Sequence, residues 1–554
     1  WSSHGRYYDA KKGGWRWQRP ILFGTTEDLY TQTIVLPYLI PMLENAGAIV
    51  FTPRERDWQK NEIIVDNDSR TSYKEESMKK KWATTSDKGF AQHYGSYNDG
   101  ENPFTAGTAR QVKARKRNSK ISSVVYQPTF PETGRYAVYV SYQTQKKSVE
   151  AAEYIVFHKG QETHFRVNQR MGGGTWVYLG TFEFDKGNSI NNSVVLTNHS
   201  SHRGIVTTDA VRFGGGMGNI VRGGTVSGLP RFLEGARYSA QWAGAPWNVV
   251  SKRNGSNDYN DDINCRSLMT NWLAGGSCYL PEKKDGKKVP IELTLAIHSD
   301  AGVKTDDSYV GTLGICTTQD GNKTLGDGLS RKVSKTFAEQ LVANVKKDLD
   351  NAFHINWATR SVWDRNYSET RLPEVPSAIL ETLSHQNFPD IKLGQDPNFK
   401  FTFARSVYKT VLKYEANMHG KTYTVQPLAP NNFKIEYVSA NKVRLQWRPT
   451  TDTSEPTATP TSYNVYVAMG TRGFDNGMNV RNDIELLPGV VYNFKVTACN
   501  RGGESFPTEV LSALRNEGAT QTILIVNAFS RLSSPAVVNT STEQGFDLEA
   551  DPGL

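Results

Sequence analysis

The feature that most constrains this fold is a change in hydrophobic periodicity along the chain. Two segments with alternating helix and strand patterns enclose a long segment with the pattern of short strands. In residues 1–57, apolar residues at helical spacing over 27–46 precede the apolar stretch 48–53, which predicts a helix followed by a buried strand. The same alternation returns in residues 226–420. Neither segment looks complete alone. We therefore expect one discontinuous α/β domain with a mixed sheet flanked by helices.

The remaining segments carry β patterns. Residues 58–225 contain regularly spaced short apolar runs between turn residues, which predicts an inserted β-sandwich. Residues 425–513 alternate apolar and polar positions between Pro- and Thr-rich turns, which predicts a second β-sandwich. In residues 514–554 the run Thr522–Val526 predicts the first strand of a further, truncated domain.

Composition narrows the class of protein. The 554 residues are 37% hydrophobic and 22% charged, and no apolar run reaches the length of a membrane span, so we expect no transmembrane segment. The net charge of +9 is spread along the chain, and its densest run, 113–117, is interpreted as a solvated loop, so no nucleic-acid partner is expected. Export would allow Cys265 and Cys278 to pair, but buried free thiols fit the sequence at least as well.

Four residues with side chains suited to metal chemistry stand at strand ends or helix starts. His4 follows a predicted strand end, Glu27 opens the first helix, and His298 and Glu381 end two apolar strands. Because the carboxyl ends of strands and the adjoining helix starts border one crevice of an α/β sheet, these side chains are expected to converge. Two imidazoles and one carboxylate form a catalytic zinc set that leaves a coordination position open. A second carboxylate outside the metal shell can act as an acid–base group.

The segments that carry these residues resemble the zinc-dependent N-acetylmuramoyl-L-alanine amidases. The resemblance lies in Ser-His-Gly at residues 3–5, Thr-Glu-Asp at 26–28, Ala-Ile-His-Ser-Asp-Ala at 296–301 and Ile-Leu-Glu-Thr at 379–382. It implies that His4, Glu27 and His298 bind Zn²⁺ and that Glu381 is the catalytic carboxylate. Ser3 replaces the first glycine of the family's Gly-His-Gly, and Ser-Asp replaces the Ala-Asn after the third ligand, which leaves the substrate less well defined than the metal.

Two further resemblances concern the β segments. Thr-Thr-Asp-Ala-Val-Arg-Phe at 207–213 and Gly-Thr-Trp-Val-Tyr-Leu-Gly at 174–180 resemble the golvesin-like module, also called the xanthan lyase C-terminal domain. Such modules imply glycan binding or a spacer role. Residues 425–513 resemble a fibronectin type III module, with Trp447 and Tyr492 at its core positions.

Several other residues have a functional and a structural interpretation. Asp28 is the alternative to Glu27 as a ligand, because acidic residues also favour the first turn of a helix without binding anything. His385 either assists in the site or caps a turn. The residues proposed to contact substrate are cationic or aromatic, and each has salt bridging or core packing as its alternative: Arg371, Trp15 and Trp17, with Arg365, Trp242 and Trp247 in the same two classes.

The sequence therefore predicts an exported zinc hydrolase of the periplasm, cell envelope or extracellular space. Its expected reaction is cleavage of the amide between N-acetylmuramic acid and L-alanine, with peptidoglycan or muropeptides as partners and glycans as further partners of the β segments. The alternative is a cell-surface glycan-binding or adhesion protein that uses a degenerate amidase scaffold.

Overall fold

A computed structural model describes residues 1–69, 71–93, 95–319, 323–479, 482–526 and 532–550. Residues from the N-terminal helical segment and from the later sheet share one hydrophobic core, in which Ile34 and Leu39 join Leu341, Leu380 and Phe403. The apolar faces of the two distant segments are therefore buried against each other.

The α/β region has a four-stranded mixed sheet at its centre. The His298 strand (Thr294–Asp300) lies at one edge and is parallel to its neighbour, the Glu381 strand (Ser377–Ser384). The Glu381 strand is antiparallel to the third strand, Leu313–Cys316. The third strand is parallel to the last one, Trp363–Asp364. Ser2 adds a parallel bridge to Ile297 on the free edge of the His298 strand. The first residues of the chain therefore continue this sheet.

Helices cover the sheet and connect its strands. The first begins after Thr26, whose hydroxyl accepts a hydrogen bond from the amide of Leu29, and it contains a π-helical turn around Pro37. A proline lacks the amide proton that the regular ladder needs, so it disrupts α-helical spacing there. The helices span Glu27–Tyr30, Gln32–Ile34, Val35–Leu39 (π), Ile40–Asn45, Ala236–Trp242, Trp247–Val250, Asp258–Ala274, Lys332–Phe353, Ser368–Arg371, Phe388–Gly394 and Pro397–Met418, with 3₁₀ turns at Pro103–Thr105, Arg231–Leu233 and Pro456–Ala458.

The first β region is built from two larger sheets whose inner faces share one core. Tyr154 and Val194 of the five-stranded sheet lie in the same cluster as Val138 and Phe213 of the four-stranded sheet, which is sandwich packing. In order across the five-stranded sheet, the strands are Gln161–Val167, Ala152–His158, Ser193–Thr197, Ser123–Tyr126 and Tyr73–Glu76; across the four-stranded sheet they are Val177–Phe184, Gly134–Val140, Ala210–Phe213 and Ile63–Asp66. Two smaller sheets consist of Ile205–Thr208, Arg110–Lys113 and Ala83–Thr84, and of Gly187–Asn188 and Thr129–Phe130.

The second β region also encloses a core between two sheets. Tyr492 is buried, and Trp447 packs against the same core with its ring 5.5 Å from that of Tyr463. The strands are Asn431–Ser439, Lys442–Arg448 and Asp483–Glu485; then Met478–Asn479, Ser462–Met469, Val491–Asn500 and Gly503–Glu504, with Leu511–Leu514 beside Val491–Asn500. A separate N-terminal hairpin pairs Arg6–Asp9 with Gly14–Trp17. The prediction of a multidomain, β-rich chain with a β-sandwich region is thus confirmed.

Two local expectations turn out differently. The stretch 48–53 is an unpaired coil that lines two cavities of about 330 and 420 Å³ rather than a strand. Residues 522–526 form no strand either, and Ile523 is 88% exposed; the tail instead pairs Ala536–Asn539 with Gln544–Asp547. In both cases an apolar run finds no neighbouring strand with which to pair. Of the two alternatives for Cys265 and Cys278, the structure has free thiols, with Cys265 buried and Cys278 exposed.

Candidate metal centre

Three segments of the α/β region bring two histidines and a glutamate together. The amide of Ile297 donates to the carbonyl of Trp1, so the chain runs beside the His298 strand before it reaches His4. Glu27 is the first residue of its helix and points inward from the helix start. Ligand atoms of His4, Glu27 and His298 all lie within 4.8 Å of one another. The structure thus brings together the three residues that the sequence predicts as ligands.

Glu27 Oε1 is the point on which the two imidazoles converge. It lies 2.7 Å from His298 Nδ1 and 3.6 Å from His4 Nε2, and the two rings are 4.9 Å apart in an edge-on arrangement. The three residues are 2–5% exposed. The other oxygen of Glu27, Oε2, lies 3.2 Å from Arg19 Nε. One carboxylate oxygen therefore faces both histidines, and the other faces a cation.

The outward nitrogen of each histidine also contacts a buried oxygen. His4 Nδ1 is 2.9 Å from the side-chain carbonyl of Gln18, whose amide donates to Asp262. His298 Nε2 is 3.0 Å from Glu369 Oε2. Arg266 Nη2, which can only donate, also lies 3.0 Å from His4 Nδ1, so both tautomers of His4 have a partner at this nitrogen. The Glu369 contact lies on the side of His298 away from Glu27, as outer-shell contacts do in metal sites.

The protonation states of the two histidines differ because their surroundings differ. Burial, and then the charge of Arg266, hold the pKa of His4 well below its usual value, so this imidazole is neutral. Burial opposes charge on His298 as well, but the carboxylates of Glu369 and Glu27 raise its pKa to about 10. Burial alone would raise the pKa of Glu27, but its hydrogen bond to His298 lowers it. Cation binding at His298 would therefore release a proton.

Glu381 lies beside this cluster with one free oxygen. It is the register partner of His298 on the adjacent parallel strand, so both side chains project from the same face of the sheet. Glu381 Oε2 is buried and makes no hydrogen bond within the described residues. Burial, and then the nearby charges of Glu27 and Asp300, raise the pKa of Glu381 to about 8 despite the opposing charge of His298. Such a carboxyl can exchange a proton near neutral pH.

The donor set fits zinc. Two imidazoles and a carboxylate are ligands that Zn²⁺ prefers, and three protein ligands are usual where the metal is catalytic. The inward nitrogens, the outer contacts and the unpartnered carboxylate oxygen of Glu381 belong to one buried site. His4, Glu27 and His298 would hold the ion.

Other predicted site residues lie outside this cluster. Asp28 contacts Thr26 and the amide of Arg19 but does not join the histidines; burial, and then the charge of Glu27, raise its pKa to about 7. His385 Nδ1 is 3.0 Å from the hydroxyl of Ser299, next to His298. It therefore borders the site without being one of the converging ligands.

The residues predicted to contact substrate all have partners within the chain. Arg371 donates to Asn366, the Trp15 ring packs against Tyr238 at 4.9 Å, and Arg6 lies 4.9 Å over the ring of Trp17. Of the related candidates, Arg365 stacks on Trp363, Trp242 is in the core and donates to Glu62, and Trp247 donates to Asn254. Their role toward a substrate stays a prediction.

Sequence reasoning missed the outer contacts of the histidines. Gln18, Asp262, Arg266 and Glu369 are all buried around the site. Asp262 and Arg266 form an ion pair one helical turn apart, a spacing that the sequence shows, but no local signal indicates that this pair faces a histidine. Glu369 lies in a four-residue helix, in no motif.

Comparison with known proteins identifies the two β regions. Residues 63–215 match the Golvesin C-terminal domain, and residues 428–513 match the Fibronectin type III domain. Xanthan lyase from Bacillus sp. (strain GL1) is 37% identical over 93 residues, which are 16% of this chain and 10% of that protein. The chain thus spans about a tenth of the length of the curated relative that it matches.

Solved structures of amidases are also similar to part of the chain. N-acetylmuramyl-L-alanine amidase Ami1 from Mycobacterium smegmatis is 15% identical, covering 28% of this chain and 61% of that one, with a TM-score of 0.21. The CwlD amidase from Clostridioides difficile is 17% identical, covering 29% and 64%, also with a TM-score of 0.21. These TM-scores do not establish a shared fold for the α/β region. The comparisons establish that the chain contains a Golvesin C-terminal domain and a fibronectin type III domain.

Proposed function

We propose that this chain is a zinc hydrolase that cleaves the amide bond between N-acetylmuramic acid and L-alanine in peptidoglycan. The observation that carries this proposal is the buried convergence of His4, Glu27 and His298 beside the unpartnered oxygen of Glu381. The discontinuous α/β domain of residues 1–57 and 226–420, interrupted by 58–225, is part of the same proposal. We further infer that the protein acts outside the cytoplasm, where peptidoglycan is found.

In the proposed reaction, the zinc ion would activate the carbonyl and the water, and residues of the chain would transfer the proton and orient the ligands. When bound, zinc polarises the scissile carbonyl and makes water a stronger acid. Glu381 takes a proton from the attacking water and delivers it to the departing amine nitrogen. Its raised pKa favours holding that proton between the two events. Gln18 and Glu369 keep the two imidazoles oriented, and the buried surroundings exclude bulk water from the reacting atoms.

The test measures bound metal and muropeptide release from purified sacculi, for the wild type and Glu381→Ala. We expect one zinc per chain in both proteins, with release reduced by about 10²- to 10⁴-fold in the variant, because it loses the proton-transfer group. Glu415→Ala is the control, since it removes a partly buried carboxylate from a surface cluster elsewhere on the chain. A metal-free wild type, or equal release by the wild type and Glu381→Ala, would contradict the proposal.

A second candidate is a surface glycan-binding protein with an inactive α/β scaffold. It is favoured by the Golvesin C-terminal match and by the stretch that is 37% identical to a xanthan lyase. Its test is whether the full chain binds polysaccharides, xanthan and purified sacculi among them, in a pull-down assay. Binding that survives His298→Ala, together with absent muropeptide release by the wild type, would favour this candidate over the hydrolase.

A further inference from the structure

We propose that Glu369 is a positioning residue that locks the ring of His298 so that Nδ1 faces the metal site. This inference rests on the proposed zinc function. His298 has two ring nitrogens, and only the correct rotamer and tautomer present a lone pair to a cation beside Glu27. Glu369 contacts Nε2, the ring nitrogen of His298 that faces away from Glu27. The sequence around Glu369 contains no motif that marks it as part of a site.

The first support is how firmly Glu369 itself is held. Its Oε1 accepts a hydrogen bond from the indole of Trp1 at 2.7 Å and from Arg266 Nη1 at 3.0 Å. Its Oε2 is the atom that lies 3.0 Å from His298 Nε2. Glu369 is 5% exposed, and the side chain of Arg266 is fully buried. With Oε1 engaged twice, Oε2 has few positions other than the one facing the imidazole.

The second support is that one arginine links the outer sides of both histidines. Arg266 Nη1 reaches Glu369, while Nη2 donates to Asp262 at 2.6 Å. Asp262 accepts a hydrogen bond from Gln18, which contacts His4. Arg266 Nη2 also lies 3.0 Å from His4 Nδ1. One continuous chain of buried contacts therefore runs from His4 to His298, and a rotation of either ring would break it.

Two other roles would also explain a buried carboxylate at this position. Glu369 is either a plain ion-pair partner of Arg266, which would affect folding alone, or a direct metal ligand. Against the second role, Glu369 is not among the three residues whose ligand atoms converge, and the cation of Arg266 lies 3.0 Å away. A positioning role predicts weaker zinc binding with an unchanged ligand set, which neither alternative does.

The experiment compares Glu369→Gln, Glu369→Asp and Glu369→Ala with the wild type. Zinc affinity is measured by chelator competition, ligand geometry by the visible spectrum of the Co²⁺-substituted protein, and folding by thermal unfolding without metal. We expect Glu369→Ala to weaken zinc binding by about 10- to 100-fold, the usual effect of removing an outer-shell partner. Glu369→Gln keeps an acceptor oxygen and should recover part of this loss, and the Co²⁺ spectrum should keep the wild-type coordination number.

The Asp variant and a matched control keep the test decisive if Glu369→Ala folds poorly. Glu369→Asp keeps the charge beside Arg266 but shortens the reach toward His298, so zinc binding should still weaken. Glu55→Gln breaks a similarly buried pair, Glu55 Oε2 to Arg212 Nη1 at 2.8 Å, which is outside the chain of contacts between His4 and His298, and should leave zinc affinity unchanged.

Two outcomes would overturn the inference. Zinc affinity equal to that of the wild type in all three Glu369 variants would reduce Glu369 to an ion-pair partner, and a lower Co²⁺ coordination number in Glu369→Ala would make it a ligand. A wild type that binds no zinc would instead defeat the proposed function itself.

Discussion

Two regions of this molecule each bring three histidine and carboxylate side chains together, but the surroundings of the two clusters differ completely. His4, Glu27 and His298 are 2–5% exposed, and each imidazole has a contact on both ring nitrogens. The surface cluster, Glu292, Glu415 and His419, has side-chain exposures of 46%, 22% and 39%. In it, His419 Nε2 lies 2.6 Å from Glu292 Oε1, an ordinary surface ion pair.

The difference between the clusters lies in burial and in the contacts of the rings, not in the proximity of ligand-type residues. An exposed imidazole beside carboxylates is satisfied by water and by the ion pair itself, so no cation is needed. A buried set with oriented rings has already met the cost of ordering and desolvation during folding, and it can gain that energy back when a cation binds. Our zinc proposal therefore concerns the buried cluster and not the surface cluster.

The largest expected contrast between the clusters is in zinc affinity. His298→Ala removes a ligand from the buried cluster, so we expect zinc binding to weaken by more than the 10- to 100-fold typical of outer contacts. His419→Ala removes the corresponding residue of the surface cluster and should leave affinity and stoichiometry unchanged. Chelator competition and metal analysis of both purified variants check this. Equal losses in the two variants would erase the distinction between the clusters.

The convergence of the proposed ligands could be predicted largely because each residue is marked locally. His298 and Glu381 follow apolar runs, within strands that continue to Asp300 and Ser384, and Glu27 opens a helix behind a capping threonine. The sequence left the choice between Glu27 and Asp28 open. Adjacent helical residues point about 100° apart, and the structure turns Glu27 toward the histidines.

The outer contacts and some strands could not be predicted, because they depend on partners far away in sequence. Arg266 and Glu369 are 103 residues apart, and no periodicity relates them. The stretch 48–53 has the composition of a buried strand, yet strand formation requires an adjacent strand with free backbone groups, which composition does not reveal. The two sandwiches were easier to predict, since regularly spaced short apolar runs indicate several strands in one region, and these strands can pair with one another.

The next contrast concerns how the stability of the metal-free protein depends on pH. The pKa of Glu381 is raised to about 8, so the folded chain keeps a proton there that the unfolded chain loses near its ordinary value of 4.5. This contribution is complete below about pH 4.5 and is lost as the pH rises toward 8. The free energy of unfolding of the wild type should thus fall, relative to Glu381→Gln, by at most about 1.4 kcal/mol per pH unit in that window.

Urea unfolding of both proteins in chelator, from pH 5 to 8.5, measures this difference. Metal must be absent, because a bound cation favours the ionised carboxylate and reverses the local preference. A stability difference between the proteins that stays constant over the window would show that the Glu381 carboxyl has an ordinary pKa and is not desolvated beside the cluster.

The smallest expected effect belongs to the surface cluster. Glu292→Gln removes the charge that pairs with His419 on an exposed surface but keeps an acceptor oxygen for the Tyr279 hydroxyl. Surface ion pairs contribute about 0–1 kcal/mol and are screened by salt, so the free energy of unfolding should change by less than about 1 kcal/mol at pH 6, and by less again in 1 M salt. Urea unfolding at two salt concentrations, with and without zinc, checks this. A zinc-dependent loss well above that range would mean that this cluster also binds metal, and the comparison between a buried site and a surface ion pair would then fail.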